Sequence, residues 1–248
     1  MSAFFTLWRK ELTTYFLSPI AYIVMIFFLV VMGVIFSLLV SVLADGSAGV
    51  TVMNLLFGSP FFWMTMLVLV PVLTMRLFAE EKKSGTIETL MTAPVSDTAV
   101  VLAKFAGALS FYIFMWLPTA FYIFVLWFFS ADMLPPDPGP MLGGYLGALL
   151  IGMFYLSIGV CSSALTSNQI VSAIITFAVM IVLFLAGLLD YIAHGEWVRQ
   201  VSAYLSSYSH MLEFSRGMMD SRPIVFYLSG TALLLFATVK IVEARNWK

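Results

Sequence analysis

Ionisable side chains divide this chain into long apolar blocks. No Asp, Glu, Lys, Arg or His occurs from Leu12 to Ala44, from Gly46 to Met75, from Phe105 to Ala131, from Pro138 to Leu189, or from Pro223 to Val239. About 20 apolar residues in a helix, rising roughly 1.5 Å each, cross the hydrocarbon core of a bilayer. The block from Pro138 to Leu189 is too long for one crossing, and its polar cluster Thr166-Ser167-Asn168-Gln169 divides it in two. The pattern therefore predicts six spans, near Pro19–Leu43, Phe61–Met75 with a continuation toward Ala79, Lys104–Phe129, Gly143–Leu165, Ile170–Leu189 and Ile224–Val239. The blocks are continuous and do not alternate, which excludes an outer-membrane barrel. The expected fold class is an all-α integral membrane protein, a single domain over residues 1–248.

Three segments outside the spans carry further pattern. In residues 1–18, Phe4, Trp8, Leu12 and Phe16 recur every four positions while Arg9, Lys10, Thr13 and Thr14 fall on other faces. That suits a helix lying in the membrane interface, broken from the first span at Ser18-Pro19. Residues 76–98 concentrate charge, with Arg76, Glu80, Glu81, Lys82, Lys83, Glu88 and Asp97, and Lys104 follows. Gly85 can stop the helix descending from the second span. Ile87, Leu90 and Met91 then repeat at helical spacing until Pro94, and Ser96 can cap the next helix. A short amphipathic helix between charged flanks is the form of a docking surface for a partner protein. Residues 190–222 mix Tyr191, Trp197, Tyr204, Tyr208, Met211 and Phe214 with isolated charges, which predicts short amphipathic or re-entrant helices.

Basic residues near span ends are retained on the cytoplasmic side. With both termini inside, that side holds Arg9, Lys10, Arg76, Lys82, Lys83, Lys104, Lys240, Arg245 and Lys248, and only Arg199, Arg216 and Arg222 lie outside. The expected location is thus a cytoplasmic membrane, with 1–18 and 76–98 on the inner face and 190–222 on the outer. The N-terminus has no pattern of a cleavable signal peptide.

Composition sharpens this picture. The 248 residues are 62% hydrophobic and 10% charged, far from the roughly 25% charged residues of a soluble domain. A net charge of -1 gives no basic excess for nucleic acid, and one cysteine excludes a disulfide scaffold or a Cys-based metal site. No G-x-x-x-x-G-K-[ST], H-E-x-x-H or G-x-S-x-G occurs, so P-loop ATP binding and the common zinc-protease and serine-hydrolase signatures are absent. His194, Glu196 and His210 are thin as an acid/base or metal set. Met211, Met218 and Met219 near His210 invite a copper reading, but methionines scattered through spans are better read as packing. The spans lack the ionisable groups that carry ions or protons in coupled transporters, and Asp190 and Lys104 are read as reaching interface water at span ends. Energy is therefore expected from a partner. Gly143 and Gly147 form a G-x-x-x-G that serves helix packing inside the subunit or across a dimer, the former preferred.

The residues from Phe78 to Pro94 follow F-x-x-E-[RK]-x-x-G-T-x-E-x-L-x-x-x-P, which resembles the coupling region of type-2 ABC exporter permeases. Trp8-Arg9-Lys10-Glu11-Leu12 and Ser18-Pro19-Ile20-Ala21-Tyr22 resemble that family's interfacial helix and the start of its first span. Ser162 through Val171, Tyr204-Leu205-Ser206 through His210 to Arg216-Gly217, and Glu243 through Trp247 are similar to its gliding-motility, GldF-like branch. The resemblance implies six spans with a cytoplasmic coupling helix between the second and third. It implies a non-catalytic subunit that binds no cofactor itself, with ATP and Mg held by a separate cytoplasmic ABC ATPase subunit. It further implies pairing with a second permease copy or a related permease, an auxiliary membrane protein with a periplasmic domain in some systems, and contact with membrane lipids of a bacterial inner membrane. The residues so assigned are Glu80, Glu81, Gly85, Thr86, Ile87, Glu88, Leu90, Met91 and Pro94 for ATPase coupling, and Trp8, Arg9, Lys10 and Glu11 for the interfacial helix. His210, Phe214, Arg216 and Gly217 are the candidates for an outer gate. The leading expectation is export of an amphiphilic, lipid-like or envelope substrate. The alternative is a membrane scaffold or assembly component of an envelope or gliding-type machine powered by the same ATPase, and an intramembrane enzyme is a third.

Overall fold

A computed structural model describes residues 3–44, 52–86, 95–129, 137–186 and 204–244, with Trp197 and Ser202. All regular structure among them is helical: α1 Ala3–Leu17, α2 Pro19–Ala44, α3 Val52–Gly58, α4 Pro60–Thr74, α5 Ala79–Ser84, α6 Asp97–Trp116, a 3-10 turn Leu117–Ala120, α7 Phe121–Phe129, α8 Pro138–Leu165, α9 Gln169–Leu185, α10 Ser207–Ser215 and α11 Ser221–Glu243. Five stretches are long and apolar enough to cross a membrane: Pro19–Ser41, Pro60–Ser84, Asp97–Phe128, Pro138–Leu165 and Ser221–Glu243. The remaining apolar helix, Gln169–Leu185, has 17 residues and is shorter than the other five. Expected positions 187–189 of that span lie outside the described residues, as does most of 190–203.

Side-chain caps fix where the helices start. Ser59, Ser96 and Ser206 accept from the amides of Phe62, Ala99 and Ser209, while Asp137, Asn168 and Asp220 accept from Gly139, Ile170 and Arg222. Ser18 separates α1 from α2 as the sequence indicated. Several boundaries move. The helix expected as the fourth span begins at Pro138, behind the Asp137 cap, and not at Gly143; the one expected as the sixth begins at Ser221. Helix α6, expected from Lys104, starts at Asp97, and Pro118 divides it from α7 because proline cannot donate to the ladder. Thr119 Oγ1 donates to Trp116 O at 2.7 Å, and Tyr145 of α8 donates to Thr119 O at 2.7 Å, so two carbonyls of this break are partnered in an apolar setting.

Helix α8 is the hub, packed against α4, α6, α9, α10 and α11. Its glycines make that possible. A Cβ at Gly143 would strike the Phe214 carbonyl, one at Gly144 the Phe57 ring, one at Gly152 Tyr112 and one at Gly159 Thr74. The G-x-x-x-G surface is thus consumed within the subunit, against α10. Around it Phe57, Phe62, Trp116 and Tyr145 interlock with centroid spacings of 5.5–6.0 Å. Outward rows such as Ile23, Ile26, Phe27, Val30 and Val34 on α2 are exposed and apolar, as a hydrocarbon solvent requires.

The two ends of the bundle differ. At one, Ser163 near the end of α8 accepts from the amides of Phe78 and Ala79, Lys82 donates to Ala164 O, and Ile241 and Ala244 share a cavity with Lys82 and Ala164. The end of α11 therefore lies beside α5. At the opposite end Ser215 of α10 reaches Asn54 of α3 at 3.4 Å.

Candidate functional site

At the α5 end, α1 lies across α6. Gly107 permits the approach, since a Cβ there would fall 2.7 Å from the Cβ of Glu11. Trp8 Nε1 donates to Ser110 Oγ at 3.2 Å, Tyr15 stacks on Phe111 with centroids 5.2 Å apart, and the Tyr15 hydroxyl donates to Leu73 O of α4 at 2.7 Å. Burial pushes the Tyr15 hydroxyl pKa well above its ordinary 10.0, with the Glu11 charge adding to the rise.

This contact turns one face of α1 inward, and the most buried residue on it is Glu11. Glu11 Oε1 accepts from Lys104 Nζ at 2.9 Å, and the same ammonium donates to Glu81 Oε1 of α5 at 2.7 Å. Lys104 is 2% exposed, and its Nζ sits 5.3 Å from the centre of the Phe78 ring. Its placement corrects the expectation that Lys104 reaches interface water. A buried ammonium is tolerated because two carboxylates and an aromatic face replace its hydration. The triad joins three elements, α1, α5 and α6, whose residues are 93 and 23 positions apart in sequence.

The remaining assigned residues fall as follows. Arg9, Lys10 and Glu80 are exposed. Gly85 ends α5 at φ 72°, the left-handed conformation that glycine adopts without strain. Thr86 is exposed, with Oγ1 2.9 Å from Ser84 Oγ. Ile87, Glu88, Leu90, Met91 and Pro94 lie outside the described residues, as do His194 and Glu196. At the opposite end, Phe214 is buried against Gly147, His210 Nδ1 pairs with the Tyr227 hydroxyl at 3.0 Å, and Gly217 at φ 79° abuts Pro140. Arg216 is exposed. Burial lowers the His210 pKa below its ordinary 6.5.

The family resemblance singled out Glu11, and the charged segment Glu81, without joining them. The available signal was Lys104 itself, the one cation on a mostly apolar helix, which in a membrane setting needs a partner. Gly107, Ser163 and Tyr15 were missed, because their role is set by close approach across the fold.

Compared with known proteins, residues 2–219 match the family profile described as ABC-2 type transporter. No curated protein matches the chain.

Proposed function

The chain belongs to the ABC-2 type transporter family, so it is the transmembrane permease component of an ABC transporter, and we propose that the Glu11–Lys104–Glu81 triad is where work from an ATPase enters it. Members of this family are generally non-catalytic and work with an ATPase subunit. In this reading the α5 end faces the cytoplasm of a bacterial inner membrane, all six apolar helices span it, and residues 86–94 dock in the ATPase. Support comes from the distribution of charge: Arg9, Lys10, Lys82, Lys83, Lys104 and Lys240 belong to the elements gathered at this end, and Arg76 to the turn between α4 and α5, as retained basic residues do.

The observation that carries the proposal is the buried ion triad. Residues 86–94 continue directly from α5, and α5 is tied through Lys104 to α1 and α6. A push on the docking segment is thereby delivered to the interfacial helix and the third span as one body, the kind of rigid-body input that moves packed helices between discrete states. The permease pairs with a second copy, and its aromatic spans, apolar apart from the charges at the α5 end, suit an amphiphilic export substrate. Glu88→Lys and Gly85→Pro are expected to abolish co-purification of the ATPase, or its coupled turnover, with membrane insertion intact. Unchanged association and turnover in both variants would refute the docking assignment.

A further inference from the structure

Beside the triad lies a cavity of about 390 Å³, bounded by α1, the first turns of α2, the end of α4 and α5, with Lys104 of α6 in its wall. That is within the roughly 300–1,000 Å³ of small-molecule sites. Its walls are divided. Ala21, Val24, Val72 and Leu73 make an apolar side that runs along the spans, and Lys10, Arg76 and Glu81 make a polar side at the bundle end. Two polar atoms of lining residues are buried without a hydrogen-bond partner among the described residues, Arg76 Nε and Glu81 Oε2. One is a cationic donor and the other an anionic acceptor. Leaving either unmet is costly, and both side chains line the cavity, so a small turn that brings the two groups onto a ligand meeting both is favoured.

We propose that this cavity binds a zwitterionic phospholipid whose headgroup ends in a primary ammonium, of the phosphatidylethanolamine type. The phosphate accepts from Arg76, with Lys10 beside it. The ammonium donates to Glu81 Oε2, completing the charge around a triad in which one Lys faces two carboxylates. The glycerol and first acyl carbons lie along Ala21, Val24 and Leu73, next to the break at Ser18 between α1 and α2. A lipid with only negative charge meets Arg76 but brings nothing to Glu81, and a quaternary ammonium has no N–H to donate. This inference requires only that the α5 end sit at a membrane interface, and it stands or falls separately from ATPase docking.

The test is native mass spectrometry of the intact protein released from nanodiscs containing equal parts of phosphatidylethanolamine, phosphatidylcholine and phosphatidylglycerol. Wild type is expected to retain one phosphatidylethanolamine about tenfold over either other lipid, and Arg76→Gln, with unchanged elution on size exclusion, to lose that preference. Equal retention of the three lipids by wild type would overturn the proposal, and that comparison needs no variant. So would an Arg76→Gln protein that keeps the preference. A parallel arm measures the melting temperature in detergent with inorganic phosphate alone or with added phosphatidylethanolamine. Stabilisation by the lipid only supports the site, and an equal rise with phosphate shows a simple anion site instead.

Discussion

Lys104 shows how a single residue sets the character of this site. Desolvating an ammonium costs several kcal/mol unless its surroundings replace water, and here Glu11, Glu81 and the Phe78 ring do so. Lys104→Ala leaves the buried Glu11 carboxylate and the largely buried Glu81 carboxylate without their cation, and the expected loss is about 3–5 kcal/mol, read as a lower melting temperature in detergent. Combining Lys104→Met with Glu11→Gln and Glu81→Gln removes every charge and is expected to recover most of that loss, since a neutral cluster avoids the uncompensated ions. At the other end of the bundle His210 gives a pH signature. Its folded pKa is depressed below 6.5 by burial, so its contribution is complete above 6.5 and falls as the pH drops toward the lowered folded value, because the unfolded chain takes up the proton first. The protection factors in α10, that is, exchange divided by its intrinsic rate at each pH, should fall on acidification through that window, and His210→Gln should flatten the dependence.

Among the elements, α8 carries the fold, and its glycines are the reason. Gly159 lies against Thr74 and Gly152 against Tyr112 so closely that any side chain displaces α4 or α6. Gly159→Val is expected to cost roughly 1–3 kcal/mol by overpacking, visible as lost yield of folded protein in size exclusion. Gly85→Ala acts differently: nothing lies within 4 Å of its Cβ position, so the penalty is the left-handed backbone alone, about 1 kcal/mol, and falls on the exit from α5. The limits of the sequence appear at this scale. Ser18, Gly85 and Ser96 were legible because caps and breaks are local chemistry. Asp137-Pro138 carried an equally plain start signal, but the apolar block drew attention to Gly143. Pro118 was hidden inside one continuous apolar run, where hydropathy does not register a break. The triad was illegible for another reason: pairing Glu11 with Lys104 requires knowing that Gly107 lets α1 lie against α6, and nothing local to either charge says so.

For the whole molecule, the distribution of charge was legible and the wiring was not. The elements carrying most basic residues gather at the end where α1, α5 and the close of α11 meet, and that end also holds the cavity and the triad. In the proposed mechanism α1, α5 and the start of α6 form one rigid unit that the ATPase moves against α11. Pulsed electron spin resonance distances test this directly. Nitroxides are placed by Arg9→Cys, Lys83→Cys and Lys240→Cys, all exposed positions, in a Cys161→Ala background, in the complex with its co-purifying ATPase. On trapping the ATP-bound state, the 9–83 distance should stay fixed while the 83–240 distance shifts, and adding Lys104→Met should broaden the 9–83 distribution. A 9–83 distance that changes as much as 83–240 in the unaltered triad would show α5 moving alone, and would contradict the account.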